Sequence, residues 1–109
     1  MRYQRFWSTV LLVLFTLSTL HAQRLYWLGL LSKEDGHCAA RDVSNNGVVV
    51  GYVGYIKPYV RAFRWTVNDG MQPLPTLGGQ YSQALAISAD GSVIVGWAND
   101  SNKKQHAVR

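Results

Sequence analysis

Residues able to do chemistry are few in this chain: three histidines, a single cysteine and six carboxylates among 109 residues. His37-Cys38 is the pair closest to a nucleophile with its base, because an imidazole beside a thiol can hold it as the reactive thiolate. The pair falls in a strand-like run, however, and neighbours in a strand point to opposite faces, which keeps the ring away from the sulfur. A zinc or copper site needs ligands at close, recurring spacing, and one cysteine with His37 and His106 does not supply a tetrahedral set. Glu34, Asp35, Asp42, Asp69, Asp90 and Asp100 would have to converge in pairs to act on a glycosidic bond. Asp69 and Asp90 are accounted for by turns, and neither has the further carboxylates of a calcium loop. On these grounds no catalytic residue, metal ligand or cofactor is assigned, and no ligand-binding residue is designated.

What must position these residues is a repeated pattern. The run Ala40-Arg41-Asp42-Val43-Ser44-Asn45-Asn46-Gly47-Val48-Val49-Val50-Gly51-Tyr52 returns as Ala84-Leu85-Ala86-Ile87-Ser88-Ala89-Asp90-Gly91-Ser92-Val93-Ile94-Val95-Gly96-Trp97, with Ser92 as an inserted turn residue. Arg61-Ala62-Phe63-Arg64 likewise returns as His106-Ala107-Val108-Arg109. The alignment weakens the chemical candidates further, since His106 matches Arg61 and Asp42 matches Ala86. Cys38 matches Ser82, which favours a small packed side chain; the other fate of a lone exported thiol is intermolecular pairing. Tyr52 matches Trp97, a repeated aromatic expected to pack in the core. Tyr55 and Tyr59 lie in a loop whose sequence is not repeated, where stacking on a sugar or gripping a protein is as reasonable as packing. Trp27 belongs with these aromatic candidates.

The elements themselves read as strands. Apolar runs rich in Val, Ile, Tyr and Trp are punctuated by Asn-Gly and Asp-Gly pairs, which supply the positive φ of tight hairpins. Eight strands are expected: 24–31, 38–44, 48–55, 60–67, 71–77, 83–88, 92–98 and one beginning at Gln105. Turns fall at Asn45-Asn46-Gly47, Asn68-Asp69-Gly70 and Ala89-Asp90-Gly91. Pro73 and Pro75 make their segment an edge strand or an irregular connection. Residues 99–105 read as an exposed hairpin loop. A period of about 45 residues with four strands in each unit is the size of one propeller blade, and two such units do not close a ring.

Ahead of the repeats, the basic start Met1-Arg2-Tyr3-Gln4-Arg5, the apolar run Val10 to Leu17 and the small residue Ala22 before Gln23 make a secretory signal peptide of residues 1–22. A retained anchor is the alternative, although Ser8, Thr9, Thr16, Ser18 and Thr19 interrupt an apolar run already short for a spanning helix. The formal charge is +5, and with Arg2 and Arg5 removed nine basic residues face six acidic ones, scattered rather than striped. Nucleic acid is therefore not an expected partner. After cleavage no stable membrane span is expected either.

The motifs resemble those of the bacterial extracellular HAF-repeat family. Leu74-Pro75-Thr76-Leu77-Gly78-Gly79 is similar to the family's Leu-Gly-Thr-Leu-Gly-Gly, and Ala86-Ile87-Ser88-Ala89-Asp90-Gly91 with Val93-Ile94-Val95-Gly96 is similar to its Ile-Ser-x-Asp-Gly and Val-Val-Gly run. Ala62-Phe63-Arg64-Trp65-Thr66, then Gly70-Met71 and Leu74, resembles its Ala-Phe-x-Trp-Thr, Gly-Met and Leu stretch. The name triplet is incomplete in both copies, with Arg61 in place of His and Val108 in place of Phe. The resemblance implies export, β-rich repeats and propeller-like packing, and it implies no reaction.

The expectation is an all-β chain of two tandem four-stranded antiparallel units resembling β-propeller blades in an incomplete ring, divided as signal peptide 1–22, first unit 23–67 and second unit 68–109. It is expected to be extracellular or periplasmic and non-enzymatic, with a structural or surface-interaction role as part of a longer repeat protein. A carbohydrate- or protein-binding propeller module is the alternative, and a hydrolase a distant third. Partners are expected to be protein or carbohydrate at the cell surface, with self-association through open sheet edges.

Overall fold

The computed structural model describes residues 24–32, 35–55 and 59–109, so the expected signal peptide lies outside the described residues. The described chain is all-β. Seven strands run in order: β1 (Asp35–Val43), β2 (Val49–Tyr55), β3 (Val60–Thr66), β4 (Gly70–Pro73), β5 (Gly78–Ile87), β6 (Ile94–Asp100) and β7 (Gln105–Val108). Hydrogen bonding passes along β1-β2-β3-β5-β6-β7, with β4 paired to β3. Antiparallel pairing makes two meanders, β1 to β4 and β5 to β7, and a parallel bridge from Val60 to Tyr81 joins them.

The two meanders share one register. Ala40 faces Gly51, Asp42 faces Val50 and Val43 faces Val49, leaving Arg41 as the extra residue of a bulge. In the same way Ala84 faces Gly96, Ala86 faces Val95 and Ile87 faces Ile94, with Leu85 extra. A bulge lets one strand press its backbone onto its partner, and here the partner must be glycine. A Cβ at Gly51 would lie 1.9 Å from the Ala39 carbonyl oxygen, and one at Gly96 would lie 2.0 Å from that of Gln83.

Hairpin chemistry recurs with the register. Ser44 and Ser88 each close a loop: the Val48 amide donates to Ser44 Oγ at 3.0 Å, and the Val93 amide donates to Ser88 Oγ at 3.0 Å. The second loop is longer by Ser92, as the alignment requires. Each serine hydroxyl in turn donates to the side chain two residues on, Asn46 Oδ1 in one loop and Asp90 Oδ1 in the other. Gly47 and Gly91 adopt φ of +83° and +78° in these loops, and Gly70 adopts +70° in the β3-β4 turn. All three expected turns are therefore present, and the loop after β6 is a hairpin to β7.

Two strand expectations need correction. Residues 24–31 contain no strand, and Leu25 and Trp27 are exposed. The physical reason is a missing partner. The segment holds the place that β4 holds after β3, and β4 exists because Phe63 to Thr66 offer it a ladder; among the described residues no strand does the same for residues 24–31. Tyr26 instead rests its ring against Trp65, with centroids 6.2 Å apart. The 71–77 segment is a strand only to Pro73, after which Leu74 to Thr76 run irregularly, as the two prolines favour. The described structure thus has four strands in its first meander and three in its second.

One buried cluster lies where the meanders meet. Val50, Ala62 and Ala84 form the buried cluster, with Leu74, Ile87 and Ile94 packed on it. Phe63 and Val53 are also fully buried. Ala62 and Ala84 are small residues at this meeting, and the cluster draws on both meanders.

Candidate interaction face

The seam is where the two meanders pack together. From the first meander come Val50 on β2 and Ala62 on β3, with Leu74 after β4; from the second come Ser82 and Ala84 on β5, with Ile87 at its end. The Ala62 amide donates to Ser82 Oγ at 3.0 Å, which satisfies a buried donor from the neighbouring unit. The Leu74 amide donates to the Ala62 carbonyl at 2.9 Å. At the other end of the seam the serine loops abut, with the Asn45 amide on the Ala89 carbonyl at 2.8 Å and Asn46 Nδ2 on the Asp90 carbonyl at 3.0 Å.

Asp42 adds a link that the repeat alignment hides. Its carboxylate accepts from the Val43 amide at 2.9 Å and from the Ile87 amide at 2.8 Å. Val43 and Ile87 are counterparts in the repeat, so one carboxylate satisfies the same backbone donor in both units. The mismatch of Asp42 with Ala86 is the available signal: a charged residue that interrupts a repeat marks a contact made once.

The same positions are bare where no described neighbour stands. Val50 is 0% exposed and its counterpart Val95 43%. Ala62 is buried and Ala107 exposed, while Ala84 is buried and Ala40 exposed. An open apolar groove of about 360 Å³ runs along the seam itself, with Ala62 and Leu74 on one side and Ala84, Ile94, Ala98 and Val108 on the other. Tyr59 lines a separate depression of about 260 Å³ with Arg61, Thr76 and Gln80.

The chemical candidates stay apart. Cys38 pairs with Val53 on β1 and is exposed, which corrects the expected packed thiol. Its counterpart Ser82 is buried because β3 covers it, and no described strand lies in that place beside Cys38. The His37 ring packs over Gly54, occupying the space of a Cβ there, and meets Tyr52 edge-on at 6.0 Å. Arg41 lies over the Tyr52 ring, 5.4 Å from its centroid. Tyr52 and Trp97 are both half-buried on a sheet face, so the expected core position is met only in part. Tyr55 ends β2, and Trp27 is exposed.

Carboxylates serve the turns. Asp90 is drawn down to about 2 by the Ser88 hydroxyl and then by the hydroxyl and amide of Ser92. Asp100 holds the β6-β7 hairpin by accepting from the Asn102 and Lys104 amides at 2.8 and 3.0 Å, and His106 Nε2 lies 2.9 Å from its other oxygen. That histidine contact is the main cause of its lowered pKa. Among the described residues no three His, Cys, Asp or Glu side chains gather closely enough to hold a metal ion. No described helix is long and apolar enough to cross a membrane. The chain matches no family model, no curated protein and no solved structure.

Proposed function

We propose that this chain is an exported, non-enzymatic β-repeat element of the HAF-repeat type, with blade-like units whose role is structural or surface interaction within a larger repeat assembly. The observation that supports it is the position of the core at the seam: the apolar cluster is completed by a neighbouring unit, which is the energetic arrangement of repeat arrays. In such arrays stability grows with each added interface. Appending a further copy of residues 65–109 after Arg109, which matches Arg64, keeps the connection between units and should raise the Tm and the denaturant midpoint of the chain in a single cooperative transition. An appended copy that melts separately, or that leaves the midpoint unchanged, contradicts the repeat reading.

A second reading as a carbohydrate-binding module draws on Trp97, a half-buried aromatic in a groove that also carries Gln83 and Arg109. Aromatic rings beside hydrogen-bonding groups suit a sugar face. Titration of tryptophan fluorescence with a panel of soluble glycans, repeated on Trp97→Ala, tests it directly.

A further inference from the structure

We propose that the chain associates with a second copy of itself head to tail, the β1 face of one copy seating against the exposed β6-β7 face of the other at Val95 and Ala107. The inference rests on the repeat reading above, and it names the partner and both surfaces. Its template is inside the molecule. The seam already joins a donor face of Val50 and Ala62 to a receiving face of Ser82 and Ala84, and each face has a counterpart elsewhere in the chain.

On the outgoing end stand Val95 and Ala107, the counterparts of Val50 and Ala62, both exposed. The backbone pairings that place them are the same, with Gly96 facing Val108 and Trp97 facing Ala107 just as Gly51 faces Phe63 and Tyr52 faces Ala62. On the incoming end stand Cys38 and Ala40, the counterparts of Ser82 and Ala84, both exposed. The parallel bridge from Val60 to Tyr81 maps onto Gln105 of one copy beside His37 of the next. In that seating the Ala107 amide meets the Cys38 thiol where the Ala62 amide meets the Ser82 hydroxyl. Sulfur accepts more weakly than oxygen, and Asp90 in place of Asn46 lacks the amide donor that links the serine loops. The contact between copies is accordingly weaker than the internal seam, reversible and dependent on concentration. Because the two faces differ, the contact is heterologous and propagates unless it closes into a ring.

The test uses two surface variants of the whole mature chain, Ala40→Glu on the incoming face and Val95→Glu on the outgoing face, each checked by circular dichroism for an unchanged fold. In sedimentation velocity the native chain should form a concentration-dependent series of species, and each variant alone should remain monomeric. Mixing the two variants should restore a 1:1 dimer that grows no further, because each supplies the face that the other has lost. A native chain that stays monomeric throughout, or a mixture that yields no dimer, overturns the proposal. Survival of a symmetric dimer in one variant alone also overturns it, since a self-complementary patch needs only one face. If the chain with an appended unit is stabilised while free copies remain monomeric, the repeat reading stands and the self-association fails.

Discussion

At the residue scale, pairs of equivalent positions separate what a side chain is from what surrounds it. Ser82 and Cys38 are small polar residues at one place in the pattern, yet only Ser82 meets a buried amide. Removing that acceptor leaves the Ala62 donor unsatisfied, which costs about 1–3 kcal/mol. Ser82→Ala should therefore lower the urea midpoint clearly, and Cys38→Ala should leave it nearly unmoved; equal effects would show that the seam does not discriminate the two. Gly51→Ala and Gly96→Ala are expected to destabilise alike, by roughly 1–3 kcal/mol or more as the new methyl forces the bulge from its partner strand. Thermal melts that left either variant unchanged would contradict the close approach of those strands. Asp90 carries a pH prediction. Its folded pKa of about 2 lies below the ordinary value of 3.8, so its bonds stabilise the fold fully above the unfolded pKa and are lost as pH falls from about 4 toward 2. The native chain should lose stability over that window more steeply than Asp90→Asn, as followed by urea titrations at each pH.

At the element scale, what can be read from the sequence is what local chemistry decides. Asn-Gly and Asp-Gly with flanking Val and Ile specify hairpins wherever they occur, and the observed turns at Gly47, Gly70 and Gly91 are the outcome. Strand existence depends also on a partner. Leu25 and Trp27 have strand-forming side chains, but no described ladder runs beside them and they stay outside the sheet. Cys38 departs from expectation for the same reason: the alignment with Ser82 conveys shape, whereas burial at Ser82 comes from the adjacent β3 strand, which has no described equivalent beside Cys38. Asp42 is beyond the reach of a local reading because its partner, the Ile87 amide, belongs to the other meander. The seam makes a further prediction about β2 and β6. Val50→Ala deletes buried methyl groups and should cost about 2 kcal/mol, counting the transfer of the lost carbons and the cavity left behind. Val95→Ala, at the same register position on the open face, should cost a small fraction of that at low protein concentration. Comparable losses at dilution would mean that Val95 is covered within a single chain.

At the scale of the whole molecule, the location of the core and the composition of the N-terminus bear on each other. The apolar cluster is completed between the two meanders, while Val95, Val43 and Leu77 stand exposed, and exposed apolar surfaces favour association. Delivery to an extracellular or periplasmic space would place these faces, and the exposed Cys38 thiol, where intermolecular contacts and oxidation are both available. The basic start, the apolar run and Ala22 before Gln23 predict that the mature chain begins at or near Gln23, because the signal peptidase needs a small residue just before the cut. Intact-mass measurement on protein recovered from the native host should give a chain shortened by residues 1–22, recovered free of the inner membrane. Recovery of the full mass with Met1 in the inner-membrane fraction would replace the cleaved leader by an anchor. It would also hold every copy's incoming end near the same surface, so that head-to-tail contacts would have to form parallel to the membrane, whereas the released chain is free to associate in any direction.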